Sequence, residues 1–254
     1  MRSRHILRAV QQAGFTLVEL MVAIAIALFL LAAVLNVYLN MKNTFNAQDD
    51  LAQLQDSQRL ALTMLTTTIQ SAGYFVDPLN TLRNVVFDDP PTVTRADGSS
   101  YTFAKEQVIT GTTGTGTGAA SDSVTVRYQR ASGDGLMNCQ GGTYSGGTSA
   151  VTVNTFRLNA NNELTCTLDD GTGANAPVAL ATNVSGFSVR YGVDTNDDGT
   201  LDTYMPASGI EAASPKLWGR VYTARVTLQF ARRNADGSAG TATVVQVINL
   251  MNKK

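Results

Sequence analysis

The stretch Gly14-Phe15-Thr16-Leu17-Val18-Glu19-Leu20 decides how the rest of the chain is read. After Leu20 the residues are apolar without interruption to Leu35. An α-helix rises ~1.5 Å per residue, so about twenty such residues cross a hydrocarbon core of roughly 30 Å. Residues 15–35 are therefore expected to be the transmembrane part of a helix. Glu19 sits near the start of that segment. A carboxylate in hydrocarbon costs roughly 2.5–3.5 kcal/mol, which marks it as a group with a task and a positively charged partner.

Upstream of the motif lie Arg2, Arg4 and Arg8, and beyond it the next base is Lys42. The positive-inside bias keeps residues 1–14 in the cytoplasm and exports the chain beyond the span. An ordinary secretory signal carries its apolar region before a small-residue cleavage site and loses it on cleavage. Here the apolar region comes after the small residue Gly14 and would stay on the mature chain. A plain single-pass anchor is the rival reading, and it leaves Glu19 without a role.

Gly14 followed by Phe15-Thr16-Leu17-Val18-Glu19 resembles the class III signal of type IV pilins and their relatives. The resemblance implies that a prepilin peptidase cuts between Gly14 and Phe15, making residues 1–14 a leader. It implies N-methylation of Phe15 and pairing of Glu19 with the terminal amine of a neighbouring subunit during assembly. The implied partners are other minor and major pilins, the prepilin peptidase and the inner-membrane assembly platform. The implied location is the inner membrane, crossed once, with the C-terminal domain in the periplasm, and later a pilus at the cell surface.

Composition narrows the classes. The chain has 254 residues and a formal net charge of −1, which allows one sizeable domain plus an appended helix. Loss of residues 1–14 removes three arginines and leaves 16 basic against 20 acidic residues. No nucleic-acid surface is expected from that balance. The one histidine, His5, lies in the leader. A mature chain without histidine has neither a His-based triad nor a His metal ligand, so no enzyme is expected.

From Asn36 to Gln70 there is no Pro and no Gly, and apolar residues recur at Met41, Phe45, Leu51, Leu54, Ala61, Leu65 and Ile69. That pattern, close to a spacing of three to four but interrupted at Gln48 and Gln58, predicts an amphipathic continuation of the helix over residues 36–72, or a separate core helix after a short break near Asn36. Gly73 and then Pro78 are stop signals. The stripe over residues 45–69 is expected to cover one face of a sheet.

After Gly73 the period changes. Short strands are expected at residues 101–103 and 107–110. Longer ones are expected at 123–129, 184–191, 218–230 and 241–250, with a hairpin of 151–158 and 163–168. The run GTTGTGTG over residues 111–118 reads as a flexible low-complexity loop. Asp88-Asp89-Pro90-Pro91, Asp97-Gly98 and residues 234–237 read as turns. Strands after one long helix predict an α+β domain over residues 73–254, built on an antiparallel β-sheet. Phe187, Trp218 and Tyr222 are expected in its core. This order resembles the pilin fold. More narrowly, residues 69–75 (IQSAGYF), 183–191 (NVSGFSVRY) and 218–232 resemble PilW-like minor pilins. Major pilins often carry a proline about two dozen residues into the mature helix; this chain has Asn36 near that place.

Cys139 and Cys166 would reach an oxidising compartment after export, where a disulfide persists. A bond between them is expected to join the strand near residues 163–168 to the Gly-rich segment 132–149.

Asp194-Thr195-Asn196-Asp197-Asp198-Gly199-Thr200-Leu201-Asp202 places side-chain oxygens at relative positions 1, 3, 5 and 9 around a glycine at 6. Calcium takes six to eight hard oxygen ligands, and a tight turn at the glycine lets such positions converge. The expected ligands are Asp194, Asn196, Asp198, the Thr200 carbonyl and Asp202. Position 12 is Met205 rather than Glu, so this is not an EF-hand, and affinity is expected near 10⁻⁴–10⁻³ M, roughly that of extracellular modules. A solvated Asp/Asn/Gly turn is the rival reading.

The resemblance therefore implies a minor pilin of a type IV pilus, processed after Gly14 and priming assembly at or near the tip. A minor pseudopilin of a type II secretion system and a calcium-dependent tip adhesin are the alternatives.

Overall fold

A computed structural model describes residues 14, 16–79, 81–88, 92–94, 100–116, 118–147, 149–170, 174–233 and 238–252. The chain divides into two compact units, residues 1–49 and 50–254.

In the first unit the helix α1 begins; the whole element runs Leu17–Gln70. Every residue from 17 to 49 is exposed. No break occurs at Asn36. Its Nδ2 donates to the Ala32 carbonyl at 3.0 Å, so the amide is satisfied by the helix it sits on.

In the second unit the last turns of α1 enter a core. Ala61, Leu65 and Ile69 are fully buried, while Leu54, Leu62 and Met64 pack partly against the same cluster. The expected stripe is thus shorter than its pattern. Phe45 and Leu51 are exposed. The helix ends at Gln70 rather than at residue 72. Gly73 takes φ +77°, a left-handed conformation open to glycine. Its amide donates to the Arg127 carbonyl at 3.0 Å and turns the chain out of the helical path.

A short helical turn, α2 (Arg83–Val86), is followed by β1 (Thr92–Thr94) and β2 (Ser100–Thr102), which pair antiparallel. Then come β3 (Ile109–Thr112), β4 (Ser123–Ala131), β5 (Ser149–Leu158), β6 (Leu164–Asp169) and β7 (Val178–Ala181). These five form an antiparallel sheet in plain sequence order. The remaining elements are β8 (Val184–Val193), β9 (Thr203–Met205), α3 (Ala207–Ala212), a 3-10 turn (Leu217–Arg220), β10 (Val221–Arg233) and β11 (Ala239–Asn249). They supply a second antiparallel sheet ordered β11-β10-β8-β9.

The fold is α+β with antiparallel sheets, as the period change predicts, but the sheets are two larger ones and a small ribbon. Trp218 belongs to the 3-10 turn before β10, not to the strand; it is buried and packs edge-on against Tyr191 with centroids 5.0 Å apart. The low-complexity run is also less free than it reads. Gly111 lies inside β3 and is buried, and a Cβ there would collide with the Tyr191 hydroxyl and the Ser123 carbonyl. The turns expected at 89–91, 97–98 and 234–237 lie outside the described residues.

The two larger sheets are fastened by Asp122. Its Oδ2 accepts from the Val189 amide at 2.7 Å and the Ser188 hydroxyl at 3.2 Å, and its Oδ1 from the Gly114 amide at 2.7 Å. Val124, Val126 and Phe156 of one sheet and Val189, Val226, Leu228 and Phe230 of the other share one apolar core.

Candidate functional site

Three places carry the residues that the sequence singles out. The first is the start of α1. The Glu19 amide donates to the Thr16 hydroxyl at 3.3 Å, and the Leu20 amide to the Thr16 carbonyl at 3.2 Å. Thr16 is thus the N-cap, and Thr16-Leu17-Val18-Glu19 has the spacing of a capping box. The T-x-x-E spacing is the sequence signal for this role, which the charge argument alone does not find. The Glu19 side chain is exposed at the N-terminal end of the helix dipole, where negative charge is favoured. Gly14 is exposed with open space around it. Phe15 and residues 1–13 of the expected leader lie outside the described residues.

Among the described residues α1 is the one helix long and apolar enough to cross a membrane. The large apolar side chains from Leu17 to Leu39 are exposed, Phe29 by 76%. An exposed apolar surface of this extent is a bilayer or protein contact.

The second place is the cysteine pair. Cys139 and Cys166 are disulfide-bonded with Cα atoms 6.1 Å apart, inside the usual span for such a bridge. Both are fully buried. The bond joins the loop between β4 and β5 to β6, as the sequence predicts. Neighbouring hydrogen bonds reinforce the same junction: the Cys139 amide donates to Asn154 Oδ1 at 3.0 Å, and Gln140 Nε2 to the Cys166 carbonyl at 3.3 Å.

The third place is the acidic loop between β8 and β9. Asp194 is fully buried. Its Oδ1 accepts from the Asp197 amide at 2.6 Å and the Asp198 amide at 3.3 Å, and its Oδ2 from the Gly199 amide at 2.8 Å. Asp197 and Gly199 take φ values of +66° and +85°, which curl the chain around that carboxylate. Asp198 Oδ1 accepts from the Thr200 amide and hydroxyl, and its Oδ2 from Asn196 Nδ2. Asp202 Oδ2 accepts from the Thr195 amide and hydroxyl. These bonds hold the Asp198 and Asp202 carboxyls below the usual carboxylate range, the Thr200 and Thr195 side chains contributing most. Arg220 straps the loop from outside, through the Thr195 carbonyl at 2.9 Å and Asp197 at 3.4 Å. Among the described residues no three His, Cys, Asp or Glu side chains are gathered to hold a metal ion. The five expected ligands share one loop, and in this conformation their carboxylates face N–H and O–H donors.

Residues 10–35 match the prokaryotic N-terminal methylation motif, and residues 147–250 match type IV pilus-assembly protein W. No curated protein and no solved structure matches the chain. Together with the long apolar helix and the antiparallel sheets, these matches support a type IV pilin-like protein with a single membrane-anchoring span. Within that class it is PilW-like, since the matched region covers β8, β10 and the loop between β8 and β9. Matches of this kind point to a structural protein.

Proposed function

We propose that this protein is a minor pilin of a type IV pilus, cut by prepilin peptidase after Gly14 and acting to prime assembly at or near the tip. The observation that carries this reading is the exposed helix whose apolar part, residues 17–35, holds one carboxylate, Glu19, in its first turn. In the membrane that surface rests against lipid. In a filament it rests against the helices of neighbouring subunits, and Glu19 neutralises the amine of an adjoining chain in a dry setting, where charge pairing is strong. Other pilins and the inner-membrane assembly platform are the partners, and the sheet-bearing unit faces the periplasm before export. Deleting the gene and counting surface pili tests the priming role. The count falls sharply and recovers with the wild-type gene; an unchanged count refutes it.

We further propose that the loop of Asp194, Asn196, Asp198, Thr200 and Asp202 takes calcium. Support comes from the ligand spacing and from Asp194, whose carboxylate already gathers the amides of the turn. Binding requires Asp198 and Asp202 to exchange their threonine hydrogen bonds for the ion.

A further inference from the structure

Apart from the acidic loop, and independent of the pilin reading, the second unit holds a cleft of about 420 Å³. That volume is in the range of small-ligand sites. Arg83, Tyr101, Lys105, Gln107, Lys216 and Trp218 line it. Glu106 is the one carboxylate in the lining, and it holds φ +60°, a strained conformation for a non-glycine residue. Lys105 and Lys216 make rim ion pairs, with Asp88 at 2.6 Å and Glu211 at 2.7 Å. Both lysines are more than half exposed, so these pairs are weak and exchangeable.

A fourth cation lies behind the wall. Arg127 is fully buried; its Nε donates to the Gln107 carbonyl at 2.5 Å and its Nη2 to the Ala104 carbonyl at 2.9 Å. Phe87 and Phe103 lie within 5.0 and 4.9 Å of its guanidinium carbon. Its Nη1 has no hydrogen-bond partner, and no carboxylate among the described residues is within ion-pair distance of it. Burial and the nearby Arg83 charge lower its pKa to about 10, so it stays charged at neutral pH. The two arginines thus repel each other, and Glu106 offsets the burial of Arg83 only in part. A negative group in the cleft relieves that repulsion, and Arg83 and the two lysines supply donors for it.

We propose that this cleft binds an oxyanion, a carboxylate or phosphate group carried by a small molecule, through Arg83, Lys105 and Lys216. Trp218 is the only tryptophan in the chain and lines the cleft, so its fluorescence reports occupancy without interference. The test uses the full-length protein in neutral detergent, titrated separately with inorganic phosphate and glucuronate. Glucose and matched chloride serve as controls. The expected result is a saturable change with one or both oxyanions and none with the controls. The preferred anion identifies the source: a free inorganic ion or an acidic sugar. Arg83→Gln and Lys216→Gln each weaken binding about tenfold, while Arg83→Lys retains most of it. Lys216 sits at the rim, so its variant remains informative if the Arg83 variants lose their fold. No saturable change in the wild type overturns the proposal, as does an affinity unaltered in Lys216→Gln.

Discussion

The Glu19 amide is bound to the Thr16 hydroxyl across 3.3 Å, so the residue proposed to dock subunits is also the third residue of a capped helix start. The two roles separate by chemistry. Capping uses the Glu19 backbone and the Thr16 side chain, whereas docking uses the Glu19 charge.

Glu19→Gln keeps the amide and the side-chain length and removes the charge. It is expected to insert and to be cleaved normally, and to lose incorporation into pili. Thr16→Val removes a cap, at a cost of about 1 kcal/mol to the first turn, and is expected to retain incorporation. Immunoblots of sheared pili against membrane fractions distinguish the two. Normal incorporation of Glu19→Gln would remove the docking role.

The disulfide closes a loop with a sequence separation of 27. In the chain-entropy picture this is worth roughly 3.5 kcal/mol. Cys139→Ser with Cys166→Ser is therefore expected to lower the melting temperature by several degrees and to cut the yield of exported protein. Titration of the unreduced wild type is expected to find no free thiol.

Much of this was legible in the residues. The apolar run at 15–35, the near-helical spacing to residue 69 with its interruptions at Gln48 and Gln58, and the alternation in residues 221–230 each write their period directly into the chain. The cysteine pairing came from the compartment. The hidden parts depend on distant contacts. The two sheets are joined where Asp122, just before β4, accepts from the Ser188 hydroxyl and the Val189 amide of β8, and nothing in Ser121-Asp122-Ser123 announces that. The short strands β7 and β9 have too few residues for a period to show. Gly111 reads as loop until Tyr191, eighty residues on, is seen to occupy the space a side chain would need. Arg127 reads as an ordinary polar residue in a strand, and only the fold buries it between Phe87 and Phe103.

Arg127 makes a separable prediction. Arg127→Ala empties the space between the two rings and is expected to destabilise the second unit by about 3 kcal/mol or more. Arg127→Met refills the space and removes a buried charge with an unpartnered donor, so it is expected to cost clearly less. Chemical denaturation of both variants compares them. An Arg127→Met loss as large as that of Arg127→Ala would mean that the hydrogen bonds to Gln107 and Ala104 outweigh the packing.

Calcium is expected to raise the melting temperature of the full-length protein in detergent, by mass action on the folded state. At ten times the dissociation constant the gain is about 1.4 kcal/mol. Magnesium is expected to give less, because it demands a smaller octahedral site. The effect is lost in Asp194→Ala/Asp198→Ala. The Asp198 and Asp202 carboxyls titrate below their ordinary range, so their contribution is complete above the unfolded carboxylate pKa of about 4 and disappears only as pH falls through the lower folded value. Equal melting temperatures with calcium and with chelator would leave a loop closed by its own hydrogen bonds alone.

The central claim is that Gly14 ends a leader and that the exposed helix behind it is a pilin's assembly surface. Intact-mass and N-terminal peptide measurement of the protein purified from membranes tests this most directly. The account predicts a chain that starts at Phe15 and carries one added methyl group, and an unprocessed chain in Gly14→Val. A wild-type protein that retains residues 1–14, or a terminus at any other residue, would contradict it.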